Sequence, residues 1–324
     1  METLFNSPDK WSSEFVTADN YKTHYIEAGK SNSQPLLLVH GGACEIGMGN
    51  YRWYPNILPL AEKFHVYAID ELGHGLTDAP RNLKNLGHVR TRAEHVINFI
   101  EELNLGPVNL AGQSQGGWIV TFIAIKRPDL VNKLILIDSG STAGSAVKKD
   151  EEQKKNQFIE VDGEKVEVDG SGDLPYFKEV FKPGTMMPKE GLTTTHEGLT
   201  KYIGVFVQNK GMITNEFVEH LMGLSKRWNS VYLENYGDDY WQGGLDGHTN
   251  MYFYDDKHIR EHVHKIKTPT LVIWGRNSNK GIDPGYELYK SIPNAQMHIF
   301  SQANHFLWLD QPDDFNSLVK WFLS

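Results

Sequence analysis

The sequence of 324 residues contains a single cysteine, Cys44. One cysteine cannot close an intramolecular disulfide, and it cannot supply a cysteine-based zinc or iron–sulfur site. This cysteine usage fits a reducing compartment, so we expect a cytoplasmic location. A thiol just after a buried strand is more often a small packing group than a nucleophile.

Long apolar runs and an excess of basic residues are absent as well. No stretch of roughly 18 consecutive apolar residues occurs, and the first residues lack a basic stretch followed by an apolar one. We therefore expect neither a membrane span nor a signal peptide. The 32 Lys and Arg against 41 Asp and Glu give a formal net charge of −9, which repels phosphate backbones and anionic lipid. Nucleic acids and membranes are not expected as partners.

Signatures of bound cofactors are also missing. Neither a G-x-x-x-x-G-K-[ST] loop nor a G-x-G-x-x-G turn is present, so no nucleotide cofactor is expected. One pattern, His258-x-x-Glu261-His262, places two histidines on one face of a helix, as some zinc enzymes do. It lies in the charged stretch 255–264, which is more simply the solvated face of a helix. We expect no metal and no cofactor.

What the sequence does contain is an alternation of apolar strand-like runs and amphipathic helical patterns. Hydrophobic residues make up 40% and charged residues 23%, as in folded globular chains. This alternation predicts an α/β fold with a mostly parallel central sheet flanked by helices. Strands are predicted around Glu14–Ala28, Pro35–His40, Phe64–Asp70, Val108–Gly112, Lys133–Asp138, Thr270–Gly275 and Ala295–Phe300, and helices at Pro55–Lys63, Arg90–Leu103, Gln115–Lys126, Leu199–Gln208, Thr214–Trp228 and Asp310–Leu323.

The alternation is interrupted between residues 141 and 267. A structureless loop of that length is implausible inside a compact domain. We therefore expect residues 1–140 and 268–324 to form the core and residues 141–267 to form an inserted, mainly helical cap. Alternating residues around Asp162-Gly163 predict a charged β-hairpin near 158–168. Its exposed edge could pair with a second copy, so a homo-oligomer stays open as an alternative.

The sharpest motif is Gly112-Gln-Ser-Gln-Gly116, which follows a predicted strand and opens a predicted helix. In that setting G-x-S-x-G predicts a nucleophile elbow, because small residues permit a tight turn that lifts the serine above the sheet. The helix N-terminus also favours negative charge nearby. A turn without chemistry is the alternative, but the context and the partners below favour Ser114 as a nucleophile.

A serine nucleophile needs a base and an oxyanion hole. His305 follows the last predicted strand, where a side chain can return over the carboxyl ends of the sheet. Most of the 14 histidines are expected to be structural, and this position singles out His305. The glycines after His40 permit close backbone approach, so we expect the backbone N–H groups of Gly42 and Gln115 to stabilise the oxyanion.

Five segments, in order and spread over nearly the whole chain, resemble the α/β-hydrolase superfamily. This resemblance implies a Ser–His–acid triad beneath a cap and a small-molecule substrate. The segments are His40-Gly-Gly, Asp70-Glu-Leu-Gly-His-Gly-Leu-Thr77, Gly112-Gln-Ser-Gln-Gly116, Trp274-Gly-Arg and Asn304-His305. More narrowly, the chain is similar to the meta-cleavage-product hydrolases, which split vinylogous diketones at a carbon–carbon bond. That likeness rests on His40-Gly-Gly, Asn50-Tyr-Arg-Trp, Asp138-Ser-Gly-Ser and the segment Ile292–Phe300.

The triad acid departs from the pattern of that subgroup. There it lies three residues beyond the glycine that ends the penultimate strand, and counted from Gly275 this position is Ser278. Two carboxylates could replace it. Asp283 precedes a proline at the start of a helical pattern, where helix capping is the simpler role. Asp138 ends the strand after the nucleophile helix, which resembles the acid site of haloalkane dehalogenases and zearalenone lactonases. We favour Asp138, with Asp283 as the alternative.

Two more positions bear on the reaction. The subgroup carries Asn before the nucleophile and Trp after the base, whereas this chain has Gln113 and Phe306, and no cap arginine aligns clearly. Hydrolysis of an ester or lactone needs only nucleophile, base, acid and oxyanion hole. The first expectation is therefore a zearalenone-lactonase-like serine hydrolase of a bulky apolar ester or lactone, contacted by Gln113, Phe306 and Trp228. Carbon–carbon hydrolysis is the alternative, and a non-catalytic small-molecule receptor is the other.

Overall fold

A computed structural model describes residues 2–42, 48–81, 89–139, 157–161, 164–168, 192–236 and 258–324. Cys44 and the expected Asp162-Gly163 turn lie outside these ranges. The strands are β1 (Trp11–Ala18), β2 (Tyr21–Ala28), β3 (Pro35–Val39), β4 (His65–Ile69), β5 (Val108–Gln113), β6 (Val131–Ile137), β7 (Gln157–Val161), β8 (Glu164–Val168), β9 (Thr270–Gly275) and β10 (Ala295–Phe300). The α-helices are α1 (Ile57–Ala61), α2 (Val89–Glu102), α3 (Gln115–Lys126), α4 (His196–Gly204), α5 (Asn215–Tyr236), α6 (Asp283–Ser291), α7 (Leu307–Asp310) and α8 (Pro312–Leu323).

Eight of the described strands form one sheet in the order β1-β2-β4-β3-β5-β6-β9-β10. The β1–β2 and β2–β4 pairs are antiparallel, and every pair from β4 to β10 is parallel. This is the mostly parallel sheet flanked by helices that the sequence predicted. After β3 the chain forms β4 on one side of β3, and the later strand β5 pairs with the other side of β3. Such a reversal opens a crevice at the carboxyl ends of the strands, where α/β proteins bind ligands.

Alternate residues of the parallel strands bury themselves on opposite faces of the sheet. In β3, Leu36 and Leu38 join the core layer that contains α1 and α8, while Leu37 and Val39 join the layer formed with α2 and α3. The same alternation occurs in β6 and β9. Because both faces are covered, these strands appear in the sequence as continuous apolar runs. The first layer also includes buried residues of α4 and α5.

The prediction of a single extended run from Glu14 to Ala28 was wrong. Two strands occupy this region, paired antiparallel from Trp11 opposite Ala28 to Ala18 opposite Tyr21. Between them Asp19 and Asn20 have φ of 52° and 61°. Positive φ at both central residues is the geometry of a tight two-residue hairpin turn, which short polar side chains tolerate.

The segment between β6 and β9 contains α4, α5 and the antiparallel pair β7–β8. The division into a core and an inserted cap stays a prediction. Within the described ranges, none of the helices combines the length and the apolar character that crossing a bilayer requires.

Candidate active site

Ser114 lies at the turn between β5 and α3 with φ of 52° and ψ of −118°. A non-glycine residue at positive φ is strained, and such strain persists where surrounding packing enforces it. Two glycines allow the turn to be this tight. A Cβ on Gly116 would lie 2.4 Å from the His40 carbonyl oxygen, and one on Gly112 would lie 2.3 Å from the Gly116 carbonyl oxygen. The strand–turn–helix geometry of a nucleophile elbow is therefore present.

His305 and Asp138 contact each other across 167 positions of the chain. The Nδ1 atom of His305 lies 2.8 Å from Oδ1 of Asp138, and both side chains are buried. Asp138 directly follows β6 and has φ of 43°, so the chain turns sharply there and the carboxylate faces the loop after β10. Asp283 lies instead in the first turn of α6, where it is exposed. The structure thus brings Asp138, and not Asp283, to His305.

Ser278 fills the position where the sequence lacks the expected acid. Its hydroxyl donates to Oδ1 of Asp138 over 2.9 Å, and the backbone N–H of Gly275 donates to Oδ2 over 3.3 Å. Three donors therefore surround one carboxylate and fix its orientation toward His305. In the sequence Ser278 marks only the position of a missing acid, so its contact with Asp138 was not predicted.

Burial governs the protonation of His305. Removal from solvent is the largest influence and lowers its pKa, and the positive charges of Lys280 and Arg52 lower it further. The Asp138 carboxylate and its hydrogen bond act in the opposite direction. The net effect is a pKa below the usual value, so the imidazole is neutral near pH 7 and able to accept a proton. Partial burial of Lys280 likewise lowers the pKa of its ammonium group.

Gln113 contacts the other nitrogen of His305. The Nε2 atoms of Gln113 and His305 are 3.0 Å apart, and Nη1 of Arg52 donates to Oε1 of Gln113 over 3.0 Å. Among the described residues, no hydrogen bond joins the Ser114 hydroxyl to His305. Arg52 is only 2% exposed, and burial lowers its pKa to about 10. No role for Arg52 was predicted from the sequence, where its place in Asn50-Tyr-Arg-Trp was the one available signal.

The predicted oxyanion residues lie beside the elbow. Gly42 follows β3, and a Cβ on it would lie 2.7 Å from Nε2 of His74. Gln115 is the first residue of α3, and its side chain accepts from Nη1 of Arg92 over 2.8 Å. The roles of Gly42 and Gln115 as oxyanion donors stay predictions.

The three predicted substrate contacts have distinct surroundings. Gln113 touches His305, as described above. The Phe306 ring stacks on Phe206 at 5.3 Å and lies 5.1 Å from the Arg52 guanidinium. Trp228 is 2% exposed, and its indole N–H donates to the Gly75 carbonyl over 2.8 Å. Phe206, which follows α4, also contacts His305, with ring centroids 5.8 Å apart.

The carboxylate of Asp310 joins the loop of His305 to the segment after α4. It accepts from the backbone N–H groups of Gln208 (2.7 Å), Asn209 (2.8 Å) and Asn304 (2.7 Å). The backbone N–H of Phe306 also donates to the Phe206 carbonyl over 2.9 Å. These bonds fix the backbone on both sides of His305. Within the described ranges, no group of three or more His, Cys, Asp or Glu side chains is arranged to hold a metal ion.

The sheet topology together with a serine elbow, a histidine after the last strand and an aspartate bonded to it defines a protein of the α/β-hydrolase fold. The chain matches the α/β-hydrolase-fold family over residues 34–168. It is 27% identical over 323 residues to the 2-hydroxy-6-oxo-6-(2'-aminophenyl)hexa-2,4-dienoic acid hydrolase of Metapseudomonas resinovorans, covering 98% of this chain and 93% of that one.

Solved structures share the fold over nearly the full length. A variant of the meta-cleavage product hydrolase from Pseudomonas fluorescens IP01 superposes with a TM-score of 0.67 at 20% identity, covering 96% of this chain and 97% of that one. The naproxen esterase of Bacillus subtilis gives a TM-score of 0.64 at 17% identity, with 97% and 92% covered. We therefore identify the chain as an α/β-hydrolase-fold protein that resembles the meta-cleavage-product hydrolases, and these findings support a hydrolase.

Proposed function

We propose that the chain is a serine-dependent hydrolase that cleaves a carbonyl compound through an acyl intermediate on Ser114. The observation that carries this proposal is the 2.8 Å contact between His305 and Asp138 at the carboxyl edge of the sheet, beside the strained elbow. Asp138 and Asp283 were the two candidates for the acid. Asp138, which contacts His305, also accepts hydrogen bonds from Ser278 and Gly275. This arrangement favours catalysis over a receptor with a decayed site.

The proposed reaction moves one proton back and forth. The Ser114 oxygen attacks the carbonyl carbon and its proton passes to Nε2 of His305, while Asp138 stabilises the imidazolium. Backbone N–H groups of Gly42 and Gln115 would stabilise the oxyanion. Collapse of the intermediate breaks the bond to the leaving group, which takes the proton from His305. Water then attacks the acyl group by the same steps, releases the acid and restores Ser114.

For the bond that is broken, we propose a carbon–carbon bond next to a ketone of a carboxylic acid. The relative from Metapseudomonas resinovorans, which matches almost the whole chain, acts by its name on a 6-oxo dienoic acid. Arg52 supports an acidic substrate, because this buried cation lies beside the triad while Glu71, the carboxylate with the strongest effect on it, is paired with Arg92. Charges removed from water are stable only when they are paired.

An ester or lactone is the second candidate bond. The triad and the oxyanion donors suffice for it, because an alkoxide leaves once it receives the proton from His305. A carbon leaving group needs more, since its electron pair must be delocalised into a second carbonyl group. The replacements Gln113 and Phe306, at positions where the resemblance implies Asn and Trp, favour this second candidate.

The first experiment labels the protein with a fluorophosphonate and locates the adduct by peptide mass spectrometry. We expect one adduct on Ser114, and none in Ser114→Ala or His305→Ala. A wild-type protein without an adduct on Ser114 would overturn the serine-hydrolase proposal. Tight ligand binding without turnover would then favour the receptor.

A second experiment compares substrates. The relative's 6-oxo dienoic acid and a set of aromatic esters and lactones are assayed for kcat/KM on the same preparation. A value at least tenfold higher for the dienoic acid supports carbon–carbon cleavage. The reverse ratio replaces that proposal with ester or lactone hydrolysis, and Ser114→Ala controls for background in both arms.

A further inference from the structure

A single chain of hydrogen bonds runs from Arg52 to Asp138. It passes from Nη1 of Arg52 to Oε1 of Gln113 (3.0 Å), from Nε2 of Gln113 to Nε2 of His305 (3.0 Å), and from Nδ1 of His305 to Oδ1 of Asp138 (2.8 Å). A guanidinium only donates, so Gln113 must turn its oxygen toward Arg52 and its NH2 group toward His305. An amide NH2 group also only donates. Nε2 of His305 is therefore the acceptor, and the ring proton lies on Nδ1, facing Asp138.

Arg52 and Gln113, here called the capping pair, are held firmly in place. Both side chains are buried, Arg52 with 2% of its surface exposed and Gln113 with 0%. The backbone of Arg52 is anchored because Trp308 donates its indole N–H to the Arg52 carbonyl over 3.0 Å. Turning the Gln113 amide by itself would leave Arg52 without its acceptor, and a buried unsatisfied charged donor is costly. The orientation of the amide is thus fixed from the Arg52 side.

This arrangement occupies the lone pair that catalysis needs. The proposed reaction requires Nε2 of His305 to accept the proton of Ser114, but in the structure that atom already accepts from Gln113. Protonated Nε2 would face an amide NH2 group, and two opposed donors repel each other. The charged groups that act on His305 are Asp138, Lys280 and Arg52, and of these only Asp138 favours the imidazolium.

We propose that the capping pair consists of positioning residues: Arg52 holds Gln113 on Nε2 of His305 in the free protein, and a substrate oxygen that accepts the Gln113 amide protons releases His305 for Ser114. This inference rests on the proposed function, because it assigns His305 as the base. Gln113 then donates a hydrogen bond to an oxygen of the bound substrate. Arg52 acts through Gln113 and not on the reacting atoms. A short Asn at position 113 would not be expected to span the same gap.

The test measures fluorophosphonate labelling of Ser114 against pH, which needs no knowledge of the substrate. In Gln113→Met a side chain of similar length loses both hydrogen bonds. We expect its labelling rate constant to rise about fivefold, which corresponds to one hydrogen bond of about 1 kcal/mol, and its midpoint to move to higher pH. Arg52→Met should change both quantities in the same direction, because Gln113 loses its anchor and a positive charge that lowers the pKa of His305 is removed. Asn109→Met is the matched control, since Asn109 is buried in the same strand and bonds to Asn132 instead.

Gln113→Glu provides a change of opposite sign. A carboxylate at this position would accept from both Arg52 and a protonated His305, so labelling at pH 7 should fall below wild type. A Gln113→Met protein whose rate constant and pH midpoint both stay within twofold of wild type and of the Asn109→Met control would overturn the inference.

Failure of this inference can be told apart from failure of the proposed function. Titration of the His305 ring, followed by ¹⁵N NMR, reports the effect of the capping pair on the pKa of His305 whether or not Ser114 reacts. We expect the Nδ1–H tautomer in wild type, and a higher pKa for His305 in Gln113→Met than in Asn109→Met. An unchanged His305 titration would overturn the proposed role of the capping pair even if Ser114 is labelled. The expected titration without any adduct would support the capping pair and overturn the serine-hydrolase proposal.

Discussion

Replacement of Asp138 by Asn tests the triad most directly, because the structure fixes how the new amide must turn. Oδ1 accepts from both His305 and Ser278, whereas Oδ2 accepts only the 3.3 Å contact from Gly275. An amide oxygen at the Oδ1 position keeps two hydrogen bonds and opposes one donor. The reverse orientation keeps the bond from Gly275, opposes the N–H of His305, and turns the Ser278 hydroxyl from donor to acceptor, which leaves the hydroxyl proton without its acceptor. The first orientation should therefore dominate, and His305 should keep its proton on Nδ1.

The size of the fall in the labelling rate constant follows from the interaction that Asp138→Asn loses. With the correct tautomer retained, the loss is the charge that stabilises the imidazolium, and a hydrogen bond to a charged group contributes about 1.5–3 kcal/mol. That range corresponds to a fall of about 10- to 160-fold in the labelling rate constant of Ser114. In serine proteases, where the wrong tautomer results, the corresponding replacement costs about 10⁴-fold. We expect the smaller value here, and a further fall when Ser278→Ala is added, because the hydroxyl that orients the amide is then gone.

The assay is the second-order rate constant of fluorophosphonate labelling, with thermal unfolding to confirm that each variant is folded. Asp283→Asn is the matched control, since that carboxylate is exposed in the first turn of α6 and should leave the rate within twofold of wild type. The reasoning fails if Asp138→Asn labels within threefold of wild type, or if Asp283→Asn slows labelling as much as Asp138→Asn does.

Three further outcomes are expected. Wild-type labelling should have its midpoint below pH 6.5, because burial lowers the pKa of His305 and the neutral imidazole is the reactive form; a midpoint above 6.5 would contradict this. Asp310→Asn should reduce the free energy of unfolding by about 1–3 kcal/mol, because one amide oxygen cannot accept from Gln208, Asn209 and Asn304 together. An unchanged midpoint of unfolding in urea would refute this. Gly116→Ala should cost about 3 kcal/mol or prevent folding, since its Cβ would lie 2.4 Å from a carbonyl oxygen, and wild-type stability in urea would count against the tight elbow.

The sheet and the elbow were predictable because both depend on short-range patterns. Continuous apolar runs such as Leu36–Val39 predict strands buried on both faces, and Gly112 and Gly116 predict a turn that no larger residue would permit. The exception, the hairpin between β1 and β2, was missed because Asp19-Asn20 is a weaker turn signal than Asn-Gly or Asp-Gly. The turn forms because Asp19 and Asn20 both adopt positive φ.

The sequence by itself determined the α/β fold, the place of the elbow and the position of His305 after the last strand. It left two aspartates as candidates for the acid, because nothing local distinguishes Asp138 from Asp283. Only the tertiary structure decided which one contacts His305, and only it revealed the contacts that Ser278, Arg52 and Gln113 make around the two side chains. The contacts concerned join residues 61 to 192 positions apart. Side chains so distant in the chain meet because the parallel strands align their carboxyl ends, and that alignment is a property of the folded sheet rather than of any segment.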